Sequence, residues 1–160
     1  MQRIKILALD TATKTGYASN CFKKITSGVV NFKIKRGDSP GIRFIKFRKW
    51  LSEMVKNSTP DVIIYEQAHH RGGHATEIAL GFVTETKIVA AENNCEVTTV
   101  HTGKLKKWAT GSGKASKEKM IAASRKMGFD PKDDNEADAL LILHWFLDQF
   151  KPRKIKRREK

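Results

Sequence analysis

The sequence predicts a mixed α/β fold, a five-stranded sheet with helices packed on both faces. Two short apolar runs at residues 4–9 (IKILAL) and 61–65 (DVIIY) stop at acids, Asp10 and Glu66. Short apolar runs bounded by turn residues read as buried strands. Longer segments with helical spacing separate the later strands. The resulting order, βββαβαβ followed by helices, requires a mixed sheet with helical crossovers.

Each element follows in turn. The first strand stops at Asp10, and the turn-prone run 11–15 leads into Gly16 and Tyr17. The apolar run 25–32 then pairs with a strand near 15–20, completing a three-stranded antiparallel meander. From Ser39 onward, Phe44, Phe47, Leu51, Met54 and Val55 recur at helical spacing, and this helix fades near 57–60. DVIIY supplies the fourth strand. A loop at 69–74, rich in Gly and His, precedes a long helix to about residue 92, marked by Ile78, Phe82, Val83 and Val89. A strand at 96–100, a short helix at 102–108 and a helix at 116–127 closed by Gly128 come next. Asp133 opens a final helix to about residue 149. The chain shows neither an internal repeat nor an interdomain linker, so residues 1–150 read as one domain and 151–160 as a basic tail.

Composition narrows the class. A chain of 160 residues is the size of one domain with a proper core, and 39% hydrophobic with 30% charged residues describes a globular protein. No apolar run is long enough to span a membrane, and the amino terminus lacks the apolar core of a signal peptide. A cytoplasmic, unprocessed chain is the expectation. Cys21 and Cys95 match no CxxC spacing, which disfavours a zinc site or a disulfide framework. The formal charge is +14; seven of the thirty-one Lys and Arg residues and one of the seventeen acids fall in the last ten positions, giving +6 there and +8 over residues 1–150. Such an excess calls for a polyanion, and nucleic acid fits better than a membrane because no amphipathic lipid-seeking stretch accompanies it.

The acids carry the sharper signal. If the strands ending in Asp10 and Glu66 are parallel neighbours, both carboxylates emerge at the sheet edge where α/β folds place their sites. On the last helix Asp134 and Asp138 are four apart and share a face, with Asn135 three before Asp138. Together these form a set of hard oxygen ligands suited to Mg²⁺ or Mn²⁺ and unsuited to zinc. Blander readings exist for some of them. Asp10 alone could bond turn amides, and Asp133 and Asp134 are good helix-start residues. Asp138 resists this treatment, since it sits among Ala137, Leu140, Leu141 and Ile142, where an unpaired carboxylate is expensive. The TGSGK loop at 110–114, just ahead of a helix, either offers backbone amides and the cation Lys114 to phosphate, although it lacks the Walker spacing, or is a flexible basic turn. His69, His70 and His74 make a rival metal trio that no cysteine or carboxylate completes.

Four stretches, LALDTATKTGYA (7–18), IIYEQ (63–67), LKKWATGSGKASKEKM (105–120) and NEADALLI (135–142), together resemble the RuvC family of Holliday-junction resolvases. The resemblance runs from residue 4 to about 147, and the small, tail-bearing chain is similar to phage-borne members. It implies the RNase H-like fold and a nuclease domain over 1–150. It also implies that Asp10, Glu66 and Asp138 are catalytic acids and metal ligands. The family's remaining acid stands three before the last, where this chain has Asn135. Either Asn135 serves as a neutral oxygen ligand or Asp134 takes its place. By resemblance Lys117 approaches the scissile phosphate and Lys106 contacts DNA, with Lys107 and Lys114 in the same basic stretch. His69, His70 and Arg71 occupy the loop where relatives place an aromatic wedge, and histidine can also stack on bases.

The implied reaction is phosphodiester hydrolysis with two Mg²⁺ or Mn²⁺ ions per site, leaving a 5′-phosphate and a 3′-hydroxyl. Paired symmetric nicks in a four-way junction imply a homodimer, and the resemblance favours the apolar residues Ile78, Phe82, Val83 and Val89 of the 75–92 helix as its surface over the reading in which all of them face the chain's own sheet. The rival functions are a same-fold nuclease for flaps, forks or RNA/DNA hybrids, a non-catalytic branched-DNA binder, and a sugar-kinase-like ATPase. The last lacks a second Gly-rich phosphate loop.

Overall fold

The computed structural model describes residues 3–67 and 72–150. His69, His70, Arg71 and the tail 151–160 lie outside the described residues. The centre of the sheet is β1 (Ile6–Asp10), whose first four side chains are all buried. A tight turn returns the chain as β2 (Lys14–Ser19), and β3 (Thr26–Asn31) completes an antiparallel meander. After helix α1 (Ile42–Ser58) the chain re-enters as β4 (Val62–Glu66), parallel to β1. Helix α2 (Gly73–Glu92) crosses over to β5 (Glu96–Val100), parallel to β4. The strand order is β3-β2-β1-β4-β5. Helices α3 (Thr102–Thr110), α4 (Lys117–Lys126) and α5 (Asp134–Gln149) finish the fold.

Because strand side chains alternate between faces, the sheet builds two cores. Ile6, Ala8 and Ile64 face Leu105, Met120 and the apolar stripe Leu140 to Leu143 of α5. Leu7, Leu9, Ile63 and Tyr65 face α1 and α2, where Phe47 and Phe82 meet edge to face with centroids 4.9 Å apart. The five-stranded mixed sheet with helices on both faces is the one the sequence predicts. Helix α3 runs two residues further than its apolar pattern suggests, because Gly111 adopts φ 83° and bonds its N–H back to the Lys107 carbonyl.

The apolar residues of α2 need a correction. Phe82, Val83 and Val89 are buried in the second core, and Ile78 packs against it. Phe82, Val83 and Val89 thus serve the chain's own fold, and Ile78 does so in part. Among the large apolar residues of this layer, Ile45 on α1 and Leu80 on α2 are the ones that reach solvent.

Candidate active site

The parallel pairing of β1 with β4 sets Leu9 opposite Tyr65, so the next residues, Asp10 and Glu66, leave the sheet side by side at its carboxyl edge. The third acid arrives on α5, whose start is tied to the meander. Asp133 caps the helix by accepting the Glu136 N–H at 3.0 Å, and Lys14 on β2 ion-pairs with Asp133. The buried Glu136 carboxylate accepts the Ser27 hydroxyl of β3 at 2.7 Å and the Lys132 N–H at 2.8 Å. Gly16 makes the docking possible, since a Cβ there would lie 1.9 Å from the Asn135 carbonyl oxygen. With the helix start held in this way, Asp138 lies over the strand ends. Oxygen atoms of Asp10, Glu66 and Asp138 all come within 4.8 Å of one another.

Three carboxylates in so small a space strain against one another. Burial pushes the Asp10 carboxyl well above its ordinary range, and the charges of Asp138 and Glu66 push it further. Asp138 is raised to about 7, first by burial and then by Glu66 and Asp134, against the opposing pull of Lys106 and Lys117. Its Oδ1 is buried and accepts no hydrogen bond among the described residues. An orphaned buried oxygen inside a cluster of like charges is what a hard divalent cation would satisfy. The donors are all carboxylate oxygens, so the residues fit Mg²⁺ or Mn²⁺.

The raised carboxyls set a pH dependence with an unusual sign. Between the ordinary value of 3.8 and about 7, folded Asp138 keeps a proton that the unfolded chain has released. Stability of the metal-free protein therefore falls as pH rises through that window. Thermal melts in EDTA are expected to give a lower Tm at pH 8 than at pH 5.5, with a smaller difference in Asp138→Asn. Mg²⁺ at pH 8 should recover the lost stability. Equal pH slopes in the two proteins would refute the coupling.

The other predicted residues separate by position. Asp134 lies outside the tight cluster but acts on Asp10 and Asp138, and its carboxylate meets the Lys117 ammonium at 2.7 Å. The Asn135 side chain bonds Asp133, the cap of α5, while its backbone carbonyl lies against Gly16. Lys106 on α3 is close enough to stabilise ionised Asp138. Lys107 and Lys114 are exposed. His74 sits in the first turn of α2 beside Glu77, 3.6 Å away.

Two partners escaped the sequence reading. The Thr102 hydroxyl donates to Glu66 Oε1. In sequence Thr102 is one of many threonines at a helix start, and only the opposition of Glu66 and Val100 across β4 and β5 brings it to the acid. Glu136 belongs with it, because an acid three residues after Asp133 signals helix capping and says nothing of Ser27.

No protein-family model matches the chain. Among curated proteins it resembles the crossover junction endodeoxyribonuclease RuvC of Caldanaerobacter subterraneus subsp. tengcongensis, 25% identical over 149 residues, which cover 87% of this chain and 89% of the relative. The RuvC of Pseudothermotoga lettingae is 28% identical over 129 residues, 78% of each chain. The RuvC of Corynebacterium glutamicum is 30% identical over 104 residues, 62% of this chain and 47% of the relative. Among solved structures the fold matches Thermus thermophilus RuvC in complex with a Holliday junction substrate, with a TM-score of 0.75 at 18% identity over 92% of this chain and 96% of that one. The yeast mitochondrial Holliday junction resolvase Ydc2 aligns with a TM-score of 0.54 at 12% identity, over 87% of this chain and 77% of its own. Along most of both chains the protein is similar in sequence to RuvC, and it shares with RuvC the same arrangement of sheet and helices.

Proposed function

We propose that the protein is a divalent-metal-dependent endonuclease that resolves four-way DNA junctions by paired, symmetric phosphodiester hydrolysis, leaving 5′-phosphate and 3′-hydroxyl ends. The observation that carries this reading is the convergence of Asp10, Glu66 and Asp138 at one sheet edge, in a chain related to junction endonucleases. Those three residues would hold Mg²⁺ or Mn²⁺, two ions per site, with Asp134 preferred to Asn135 as the further oxygen donor. Its charge already acts on the cluster, whereas the Asn135 side chain is engaged by Asp133. Bound ions supply Lewis acidity, an activated water and stabilisation of the leaving oxygen. The chain's own residues do the rest.

Lys117 is exposed beside Asp134, so it can leave that partner for the scissile phosphate and offset charge developing there. Lys106 holds the strand next to Asp138, while Lys107, Lys114 and the loop residues His69, His70 and Arg71 extend the contact. Residues 1–150 form the nuclease domain, and the tail's +6 acts as a phosphate tether. Symmetric nicks need two sites and hence a homodimer, for which Ile45, 65% exposed, and Leu80, 40% exposed, supply apolar surface. No described helix is long and apolar enough to cross a membrane, and an enzyme acting on cellular DNA would work in the cytoplasm. A binding-only role leaves the buried, unbonded Asp138 oxygen without a purpose.

The deciding experiment compares a four-way junction, a fork, a flap, a linear duplex and an RNA/DNA hybrid side by side in Mg²⁺. The junction should be cut at least about tenfold faster than any other substrate, a difference of about 1.4 kcal/mol in transition-state binding. The nicks should fall at symmetric positions. Equal or faster cutting of flaps or hybrids would overturn the assignment. In the same assay, removing 151–160 should weaken junction binding and reduce its salt dependence while cleavage persists.

A further inference from the structure

We infer that Thr102 is a positioning residue for the metal site, holding Glu66 against the repulsion of its neighbours so that its carboxylate stays in the ligand cluster; this rests on the metal-binding reading above. Glu66 ends its strand on a flexible side chain and faces two other acids, Asp10 and Asp138, within 4.8 Å. Left alone, such a carboxylate would rotate towards solvent. The Thr102 hydroxyl prevents this by donating to Oε1, leaving Oε2 without that engagement. A hydroxyl suits the task because it is neutral. A cation in its place would cancel the negative charge that a metal needs, whereas a single O–H donor orients the carboxylate and leaves its charge intact.

The donor is itself firmly placed. Glu66 stands opposite Val100 in the β4–β5 ladder, and the Gln67 N–H extends that ladder to the Val100 carbonyl at 2.8 Å. On the other side of Thr102, His101 caps α3 through Nδ1, which accepts the Gly103 N–H at 3.1 Å. Thr102 is thus the first helical residue between two bonded anchors, and its β-branched side chain has few rotamers available. One turn on, Lys106 shares its helix face and acts on Asp138. The same face of α3 therefore steers two of the three acids, one by a hydrogen bond and one by charge.

The test is Mn²⁺ binding to the full-length protein at pH 8, read from the electron paramagnetic resonance of free Mn²⁺. Thr102→Val keeps the shape and removes the hydroxyl, Thr102→Ala does so without the branched methyls, and Thr102→Ser restores the donor. Loss of such an outer partner weakens metal affinity by about 10–100-fold, so Val and Ala should bind Mn²⁺ at least about tenfold more weakly. Ser should stay within about threefold of the parent, since it keeps the donating group. Circular dichroism and junction binding in EDTA should match the parent in every variant. Parent-like Mn²⁺ affinity in Val and Ala overturns the inference, as does a Ser variant as weak as they are. Asp10→Asn serves as the control. If the parent binds no Mn²⁺, or Asp10→Asn binds it equally well, the metal-site reading fails and this inference with it. If Asp10→Asn loses Mn²⁺ while the Thr102 variants keep it, Thr102 alone is at fault.

Discussion

Asp10→Asn should bind a synthetic four-way junction with parent affinity and cut it in Mg²⁺ slower by on the order of a thousandfold or more, the scale expected when one member of an interdependent catalytic set is removed. The substitution keeps the shape and replaces one carboxylate oxygen by an amide nitrogen that cannot ligate a metal. Burial and four neighbouring carboxylates all disfavour the charge of Asp10. Removing that charge relieves the metal-free fold, so the variant should melt no lower than the parent in EDTA. Inactivity without instability distinguishes a chemical role from a structural one, and retained cleavage would defeat the proposed mechanism outright. Alongside it, Asp134→Asn should slow cleavage while Asn135→Ala does not, because Asn135 serves the helix cap. The reverse result would hand the further ligand to Asn135.

The largest stability effect is expected at Gly16. Its backbone is an ordinary strand, so the constraint is space: a Cβ would lie 1.9 Å from the Asn135 carbonyl oxygen and 2.4 Å from its carbon. Both atoms are backbone at the start of α5 and cannot rotate away. Gly16→Ala must lift the helix from β2, opening the core under Leu140 to Leu143 and withdrawing Asp138 from its partners. Chemical denaturation should show a loss of about 3 kcal/mol or more, at the upper end for overpacking. Gly81→Ala is the matched control. There the new Cβ meets the Phe44 ring at 2.4 Å, the far end of a half-buried side chain and not backbone. Its loss should be about half as large or less. Equal losses at the two glycines would show that the contact with Asn135 is soft.

Much of the site is legible in the sequence for a simple reason. Asp10 and Glu66 each follow an apolar strand, and the helix before the second strand permits a parallel pairing, which puts both acids at one edge. Asp138 stands out as an acid in a helix otherwise apolar on that side. What hides is whatever depends on pairing register or close approach. Thr102 reaches Glu66 only through the opposition of β4 and β5, and the value of Gly16 lies in a contact with a residue 119 positions away. Periodicity also fails to say which neighbour takes an apolar face. Ile78, Phe82, Val83 and Val89 could serve a partner or the sheet, and the aromatic cluster with Phe32, Phe44 and Phe47 claims them for the chain itself.

The latch between Ser27 and Glu136 joins residues 109 positions apart, and the acids themselves enter on the first strand, the fourth strand and the last described helix. Contacts of such separation form late in folding. On the ribosome, where domains build from the amino end, β1 to β5 can emerge with Asp10 and Glu66 already in place, yet the cluster stays one acid short until α5 has cleared the exit tunnel and settled on β2. Nascent chains and fragments that stop before α5 therefore carry Asp10 and Glu66 without the third acid of the cluster.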